Sequence, residues 1–185
     1  MKISELELPG VLLLQMDVYR DARGYFLEVW NPAHMCIPGL DQEFVQDNIA
    51  FSHQRVLRGL HFQQPHPQAK LVVTLSGTIF DVAVDLRRES PTFGRWVGTE
   101  LAAGTGRALY IPEGFAHGYQ VLSESAHVVY KCSDVYHREA EHTVAWNDPA
   151  IGIDWPLRDP ILSDKDRSAP ALAQLIPGLP AAADA

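Results

Sequence analysis

Short apolar runs, interrupted again and again by turn residues, restrict this chain to an all-β fold. Runs such as "KLVVTL", "TIFDVAVDL" and "AHVVYKCSD" are rich in β-branched and aromatic residues, and Gly, Pro, Ser and Asp separate them. Helical periodicity is confined to a few short turns, among them "ALAQLI" near the end. Many short strands with regular turns are typical of a β-sandwich or barrel, and the jelly roll is one such fold.

The run "TIFDVAVDL" shows how its side chains are divided between two faces. Alternation places Asp81 and Asp85 on one face, and it places the apolar side chains on the other, namely Phe80, Val82, Val84 and Leu86. Ser76 and Gly77 separate this run from the preceding one, which predicts a tight hairpin between the two strands.

The length of 185 residues suits one domain with a sizeable core. We expect a single domain over residues 1–185, with its core in about 1–167 and a partly frayed extension over 168–185. No apolar run is long enough to span a bilayer, and "VLLLQM" is too short for a signal peptide. Cys36 and Cys132 fit no metal-binding spacing, so free thiols in a reducing cytoplasm are expected.

The net charge of −8 argues against nucleic acid or a membrane surface as a partner, because both call for a basic face. An anionic small molecule remains compatible with this charge. Such a ligand would need a local cluster of arginine and lysine side chains.

The stretch "LRGLHFQQPHPQAKLV" places a histidine and two cations close together. Strict alternation would put Arg58 and His61 on opposite faces of a strand, but a bulge at Gly59 would let both point inward. Lys70 opens the next run. A histidine satisfied by hydrogen bonds within a strand is the structural alternative for His61, and His66 in the loop "QPHPQA" is expected to be exposed.

The stretch "GRALYIPEGFAHGYQV" has the spacing G-x5-P-x-G-x2-H and resembles the second sequence motif of the cupin superfamily. The resemblance implies a cupin-type jelly roll in which His117 points into the barrel. In metal-binding cupins, this histidine joins an H-x-H pair and a glutamate from the first motif. Here His61 stands in H-x-Q with Gln63, and Lys70 occupies the place of the glutamate.

A lysine at that place predicts a pocket that works without a metal, because an ammonium group repels a divalent ion. A fixed cation beside a basic histidine suits the removal of a proton next to a ketone. The ammonium stabilises the enolate oxygen, and neutral imidazole takes the proton. Epimerisation also requires an acid on the opposite face of the substrate, and a tyrosine can serve as that acid.

The motifs "DARGYFLEVWN", "FVQDN", "LRGLHFQ", "IPEGFAHGY", "VVYKCSDVY" and "LSDKD" together resemble the dTDP-4-dehydrorhamnose 3,5-epimerase family, in order from about Arg23 to Asp166. The resemblance implies a homodimeric, metal-free cupin with no cofactor. Its members invert C3 and C5 of dTDP-4-keto-6-deoxy-D-glucose to give dTDP-4-keto-L-rhamnose. A relative that inverts only one of these carbons is the alternative within the same class.

The resemblance also implies a catalytic set. His61 resembles the general base, Asp166 its orienting partner, Tyr130 the proton donor and Lys70 the stabiliser of the C4 enolate. Asp81 is the alternative partner for His61, because the alternation of its strand can turn it into the barrel.

Substrate-binding positions follow from the same motifs. Arg23 and Glu28 match nucleotide contacts that a dimer can supply across its interface, and Tyr136 matches an aromatic ring that stacks on thymine. A surface ion pair and a rim aromatic are the structural alternatives. The full predicted set is Arg23, Glu28, Gln46, Asp47, Asn48, Arg58, Lys70, His117, Tyr136, Glu141 and Lys165.

Two other classes compete with the epimerase. A metal-dependent cupin oxygenase or isomerase is disfavoured by Lys70 and Gln63. A sugar-binding cupin without catalysis is disfavoured by Tyr130 and by the pairing of His61 with Asp166, because binding alone requires neither a base nor an opposed acid.

Overall fold

The computed structural model describes residues 1–33, 35–37 and 43–175, which form thirteen β-strands and two short α-helices. A 3-10 turn (Arg138–Ala140) precedes the last strand, and the helices are α1 (Asp164–Arg167) and α2 (Leu172–Leu175). In chain order the strands are β1 (Lys2–Glu5), β2 (Leu12–Gln15), β3 (Tyr19–Asp21), β4 (Gly24–Phe26), β5 (Gln46–His53), β6 (Leu57–Gln63), β7 (Lys70–Ser76), β8 (Thr78–Asp85), β9 (Trp96–Ala102), β10 (Arg107–Ile111), β11 (Phe115–Val121), β12 (Ser125–Cys132) and β13 (Glu141–Thr143).

Two antiparallel sheets carry the fold, which confirms the all-β prediction. The six-stranded sheet has the order β1-β2-β10-β7-β12-β5, and the five-stranded sheet has the order β13-β6-β11-β8-β9. Strands β3 and β4 pair only with each other and form a hairpin over residues 19–26, called the arm below. Residues distant in sequence therefore meet wherever the two large sheets face each other.

Apolar side chains fill the space between the two sheets. Val72 and Leu109 come from the six-stranded sheet, and they pack in one cluster with Ile79, Ala83 and Phe115 of the five-stranded sheet. This burial supplies the main driving force for folding, since stabilisation grows with the apolar area removed from water.

The outer faces of both sheets are partly covered as well. Segments before β5 pack on the six-stranded sheet through Met35 and Ile37. The chain after β13 covers the five-stranded sheet through Val144, Ile151 and Leu172. Because both faces are covered, central strands such as β7 are apolar on successive residues and do not alternate.

The predicted hairpin at Ser76 and Gly77 is wrong. Strand β7 belongs to the six-stranded sheet and β8 to the five-stranded sheet, so the chain crosses between sheets at this point. Gly77 has a φ of +77°, and a Cβ atom placed there would lie 2.0 Å from the carbonyl oxygen of Ser125. A turn signal shows that the chain reverses, but it does not reveal whether the two strands become hydrogen-bonded neighbours.

The predicted bulge at Gly59 is confirmed by the register of β6 and β11. Arg58 faces Tyr119 and His61 faces His117, so two residues of β6 oppose one residue of β11. A Cβ atom at Gly59 would lie 2.5 Å from the Cα atom of Gly118, which requires glycine at this close approach. The extra residue turns Arg58 and His61 toward the same cavity.

The C-terminal segment is tied back onto the barrel. The carboxylate of Asp148 accepts a hydrogen bond of 2.6 Å from the Leu172 N–H, and the Ala145 N–H donates to the carbonyl of Pro170 at 2.8 Å. Ile161 bridges to Val56 beside β6. The helical turn predicted at "ALAQLI" is confirmed in α2, whereas the frayed end at 176–185 lies outside the described residues.

No helix in the described part of the chain is long and apolar enough to cross a membrane. Both cysteines are free, as predicted; Cys36 is exposed and Cys132 is buried.

Candidate active site

One cavity of about 340 Å³ opens between the two sheets and gathers most of the predicted site residues. Strands of both sheets supply its walls, so acidic, basic and aromatic side chains face one another across it. Its lining consists of Gln46, Asn48, Ala50, Arg58, His61, Phe62, Gln63, Gln68, Lys70, His117, Tyr119, Tyr130, Cys132, Tyr136 and Glu141.

His61 is paired with the carboxylate of Asp166. The Nε2 atom of His61 lies 2.6 Å from Oδ1 of Asp166, and the Asp166 side chain is only 4% exposed. Helix α1 carries Asp166, and Ser163 caps this helix by accepting a hydrogen bond of 3.1 Å from the Asp166 N–H. The carboxylate thereby fixes the ring and its tautomer, and it leaves Nδ1 as the nitrogen that can accept a proton.

The surroundings keep His61 neutral. Burial lowers the pKa of His61 below its ordinary value, and the charges of Lys165 and Lys70 lower it further, while Asp166 opposes the shift. For Asp166, burial would raise the pKa of the carboxyl, but its hydrogen bond with His61 and the charge of Lys165 hold the pKa below its ordinary value. A neutral imidazole beside an ionised carboxylate is a base prepared to take a proton.

A second histidine–aspartate pair lies in the same cavity. The Nε2 atom of His117 on β11 lies 2.7 Å from Oδ1 of Asp81 on β8, and both residues are buried. Strands β8 and β11 are neighbours in the five-stranded sheet. Asp81 is thus turned into the barrel, as the alternation predicted, but it is the partner of His117 and not of His61.

Lys70 and Tyr130 stand on the opposite wall, on neighbouring strands β7 and β12 of the six-stranded sheet. Lys70 is 8% exposed. Burial lowers its pKa, whereas the charges of Cys132, Asp81 and Glu141 act in the opposite direction. Burial raises the pKa of Tyr130 to about 12, which keeps its hydroxyl protonated and able to donate.

A chain of polar contacts forms the rim of the cavity. The hydroxyl of Tyr136 donates to Oε2 of Glu141 at 3.0 Å, and Nζ of Lys165 lies 2.7 Å from Oε1 of the same glutamate. The side chain of Gln46 accepts a hydrogen bond of 2.8 Å from the Tyr136 N–H and donates one of 2.9 Å to Asn48. This arrangement holds an exposed aromatic ring near the pair formed by His61 and Asp166.

Arg58 adds a cation to the cavity wall near the rim. Its Nε atom donates to Oγ of Ser52 at 2.9 Å, so a residue of β5 in the other sheet holds the guanidinium in place. Lys165 adjoins Asp166 in α1. The local cluster of cations that an anionic ligand requires is therefore present in a chain whose net charge is −8.

Three residues predicted to bind substrate lie away from this cavity. Asp47 points to the outer face of β5, where it pairs with Lys131 at 2.6 Å, because side chains alternate along the strand. Arg23 is 90% exposed at the tip of the arm and pairs with Asp21. Glu28 follows the arm and accepts a hydrogen bond from Asn31 at 3.1 Å. Asp47 therefore does not line the cavity of its own chain, and its predicted contact with substrate stays a prediction.

Sequence reasoning missed several wall residues that the same alternation could have identified. Tyr119 lies two positions after His117, and Cys132 lies two positions after Tyr130, so each shares a face with a predicted residue. The hydroxyl of Tyr119 is buried without a hydrogen-bond partner in the described part of the chain. It adds an unused polar group to the cavity.

A cupin-type jelly roll whose cavity combines a histidine–carboxylate pair, a buried amine and a tyrosine on the opposite wall has the groups that an acid–base isomerase needs. Residues 5–174 match the family described as dTDP-4-dehydrorhamnose 3,5-epimerase. The chain belongs to this family and is a carbohydrate epimerase.

Individual relatives agree with this assignment. The dTDP-4-dehydrorhamnose 3,5-epimerase of Methanothermobacter thermautotrophicus is 51% identical over 170 residues, which cover 90% of this chain and 92% of the relative. The crystal structure of the dTDP-6-deoxy-D-glucose-3,5-epimerase of Legionella pneumophila, in complex with dTDP-4-keto-L-rhamnose, superposes with a TM-score of 0.94 at 42% identity and covers 99% of both chains.

A third relative has a narrower activity. A 3'-monoepimerase from Streptomyces bikiniensis, in complex with dTDP-quinovose, has a TM-score of 0.86 at 36% identity and covers 93% of this chain and 88% of its own. The fold is therefore shared by epimerases that invert two carbons and by epimerases that invert one. The number of carbons inverted has to be measured with the substrate.

Proposed function

We propose that this chain epimerises dTDP-4-dehydro-6-deoxy-D-glucose at C3 and C5 and so forms dTDP-4-dehydro-L-rhamnose for dTDP-rhamnose biosynthesis. The proposal rests on one observation. In a chain that belongs to this family, His61, which is paired with Asp166, lines the same cavity as Lys70 and Tyr130. Both target carbons flank the C4 ketone, so one set of groups can serve both inversions.

Each inversion begins with loss of a proton. Nδ1 of His61 takes the proton from the carbon next to the ketone, and the electron pair of the broken C–H bond moves into an enolate whose charge lies on O4. The ammonium of Lys70 stabilises that oxygen. Because Asp166 holds the ring through Nε2, the resulting imidazolium is stabilised where it forms.

The inversion ends when a proton returns from the other side. Tyr130 stands on the six-stranded sheet and His61 on the five-stranded sheet, so the donor and the base face a bound sugar from opposite walls. Tyr130 gives its hydroxyl proton to the carbon as the enolate collapses, which restores the ketone in the inverted configuration. Solvent then reprotonates the tyrosinate, and His61 loses its proton before the next cycle.

The ammonium makes this chemistry independent of a metal at the cavity. Lys70 occupies the cavity wall together with His61 and His117, and each histidine already has its Nε2 atom against a carboxylate. A divalent ion at the same place would be repelled by the ammonium. Activity that disappears on chelation and returns with iron, manganese or nickel would instead support the competing metal-dependent class.

The rim residues are proposed to hold the nucleotide. Arg58 and Lys165 offer charge-assisted hydrogen bonds to the diphosphate, and the half-exposed ring of Tyr136 offers a stacking surface for thymine. Gln46 and Asn48 offer amide groups to the nucleotide at the same edge, Glu141 offers a polar contact beside Tyr136, and His117 offers another contact inside the pocket.

We further propose a homodimer in which the arm of one subunit completes the site of the other. The exposed face near β5 carries large apolar side chains, Val45, Ile49, Phe51 and Leu75, which a second copy would cover. Arg23 and Glu28 lie away from the cavity of their own chain and could contact the nucleotide only in a neighbouring one. A cytoplasmic location stays a prediction from the sequence.

Incubation with dTDP-4-keto-6-deoxy-D-glucose in heavy water, followed by proton NMR, tests the function. We expect deuterium at both C3 and C5, because each inversion exchanges one C–H proton with solvent. Parallel incubation without protein measures the background exchange of protons beside a ketone. Label at one carbon only would identify a mono-epimerase, and label at neither would contradict an epimerase and leave sugar binding alone.

A further inference from the structure

Three metal-binding side chains gather beside the cavity without belonging to its lining. Ligand atoms of His66, Asp134 and His137 all lie within 4.8 Å of one another. His66 comes from the loop between β6 and β7, whereas Asp134 and His137 come from the loop after β12. The proposed epimerisation uses none of these three side chains.

The trio is already in mutual contact. Nδ1 of His66 lies 3.4 Å from Oδ2 of Asp134, and the rings of His66 and His137 stack with their centroids 4.0 Å apart. The carboxylate of Glu139 lies 3.8 Å from Nδ1 of His137 and adds negative charge at the same place. Two imidazoles and two carboxylates within this small volume attract a cation in a chain of net charge −8.

Two glutamines hold the loops that carry these ligands. The buried side chain of Gln63 donates to the carbonyls of His66 at 2.9 Å and Val135 at 3.2 Å, and it accepts a hydrogen bond of 2.7 Å from the His137 N–H. Gln68 donates to the carbonyl of Asp134 at 2.8 Å. The backbone of each ligand is thus fixed by a side chain outside the trio, which keeps the two loops together and the three side chains close to one another.

We propose that His66, Asp134 and His137 bind a divalent transition-metal ion, with Zn²⁺ as the ion that the donor set fits best. Imidazole nitrogens suit Zn²⁺, Co²⁺, Ni²⁺ and Cu²⁺, whereas Mg²⁺ and Ca²⁺ prefer a set made of oxygen atoms only. Three protein ligands leave one tetrahedral position for water. To share an ion, one of the stacked rings rotates about its side-chain bonds, and His66 has room because its side chain is 50% exposed.

An ion at this position should affect substrate binding, and this expectation rests on the proposed function. Tyr136 lies between Asp134 and His137, and Gln63 lines the cavity. An ion that joins the two loops fixes the ring proposed to stack on thymine. We therefore expect Zn²⁺ to lower KM without changing kcat, because Tyr136 takes no part in the proton transfers.

Metal binding itself is measured without any reference to activity. Tag-free protein is treated with chelator and dialysed, then titrated with Zn²⁺ by calorimetry and with Co²⁺ by visible absorption. We expect one ion per chain and the visible bands of Co²⁺ held by nitrogen and oxygen ligands. His66→Gln and His137→Gln should weaken binding by at least about tenfold to a hundredfold, as loss of a metal-site group does.

Matched variants separate this site from others. Asp134→Asn keeps an acceptor for the Val135 N–H, which Asp134 now binds at 2.7 Å, and removes only the charge and the ligand. His127→Gln removes another exposed histidine at the opposite end of β12 and should bind the ion as wild type does. Thermal melts with and without Zn²⁺ show that each variant folds, and only wild type and His127→Gln should gain Tm.

The proposal is overturned by either of two results. One is the absence of saturable binding of both ions to wild type. The other is binding that His66→Gln, Asp134→Asn and His137→Gln leave unchanged. Failure of Zn²⁺ to alter KM, with binding intact, would instead contradict the proposed place of Tyr136 in nucleotide recognition.

Discussion

The two histidine–aspartate pairs of the cavity have nearly the same contact distance but different support. Asp81 and His117 lie on neighbouring strands of one sheet, so the sheet itself fixes their geometry. Asp166 reaches His61 from a helix 105 residues away along the chain. His117 is 7% exposed and His61 is 26% exposed, so the pair joined across the fold is the one open to a ligand.

We infer from this difference that the two pairs have different tasks. A pair that is fixed within one sheet keeps the cavity wall in place and orients a ligand. A pair that is accessible to the ligand and has a neutral imidazole ring can exchange protons with it. Replacing one pair at a time separates stability and binding from chemistry.

Replacing His61 should have the largest effect. His61→Ala removes the base, so we expect kcat to fall by about 10³-fold or more, near the upper end of what a positioned base contributes. Nucleotide affinity, measured by calorimetry with dTDP, should remain close to wild type. His117→Ala is the matched control and should mainly raise KM. Activity of His61→Ala within about tenfold of wild type would contradict the assignment.

Tyr130→Phe tests the opposite wall. This change keeps the ring and removes the donor whose pKa is raised to about 12. We expect epimerisation to fall by about 10²-fold, while deuterium wash-in at the deprotonated carbon persists because His61 still works. The measurement is the ratio of exchange to inversion, which should rise in the variant. An unchanged ratio would mean that water or another group returns the proton.

Asp166→Asn and Asp81→Asn compare the two carboxylates directly. Asp166 raises the pKa of His61, so Asp166→Asn should lower that pKa further and move the acid limb of kcat/KM to lower pH, with the plateau reduced by about tenfold to a hundredfold. In wild type the limb should already lie below the ordinary imidazole pKa of about 6.5.

Asp81→Asn should act more on stability. Its carboxylate is fully buried against His117, and loss of the charge is expected to lower the free energy of unfolding by about 1–3 kcal/mol. Denaturant unfolding and the pH profile of kcat/KM are measured on both variants. If Asp81→Asn shifts the acid limb and Asp166→Asn leaves it in place, then the two pairs have been assigned the wrong way round.

The smallest effect is expected far from both pairs. Arg23→Ala at the arm should raise KM by about tenfold or less and leave kcat unchanged, since one exposed cation contributes a modest part of nucleotide affinity. Dilution of wild type below the dimer dissociation constant should raise KM in the same way. A normal KM with a reduced kcat would exclude Arg23 as a substrate contact.

Much of the site could be predicted because its motifs resemble those of the family, and the strands that carry these motifs turn their side chains into the cavity. His61, Lys70, Tyr130 and His117 all reach the cavity, and the bulge at Gly59 was predicted because a glycine lies in the strand between Arg58 and His61. The polar network of the rim was not visible, because Glu141 and Lys165 meet only through the packing of α1 against β6.

The partners of strands were the least predictable part of the fold. Local composition did not indicate that β7 and β8, on either side of Gly77, belong to different sheets. The sheet to which each strand belongs depends on the pairing of β7 with β12 and of β8 with β11. The same limit applies to Asp166. Its loop composition is equally typical of a residue that caps a turn, but the cap is Ser163, which accepts a hydrogen bond from the Asp166 N–H while the Asp166 carboxylate holds His61.

The central claim is that the imidazole of residue 61, and not that of residue 117, removes the sugar protons. The direct test is the rate at which deuterium enters C3 and C5 of the keto-sugar, followed by NMR under saturating substrate with His61→Gln and His117→Gln side by side. We expect exchange to fall to the protein-free background with His61→Gln and to remain well above it with His117→Gln. Exchange that survives in the first variant and vanishes in the second would contradict it.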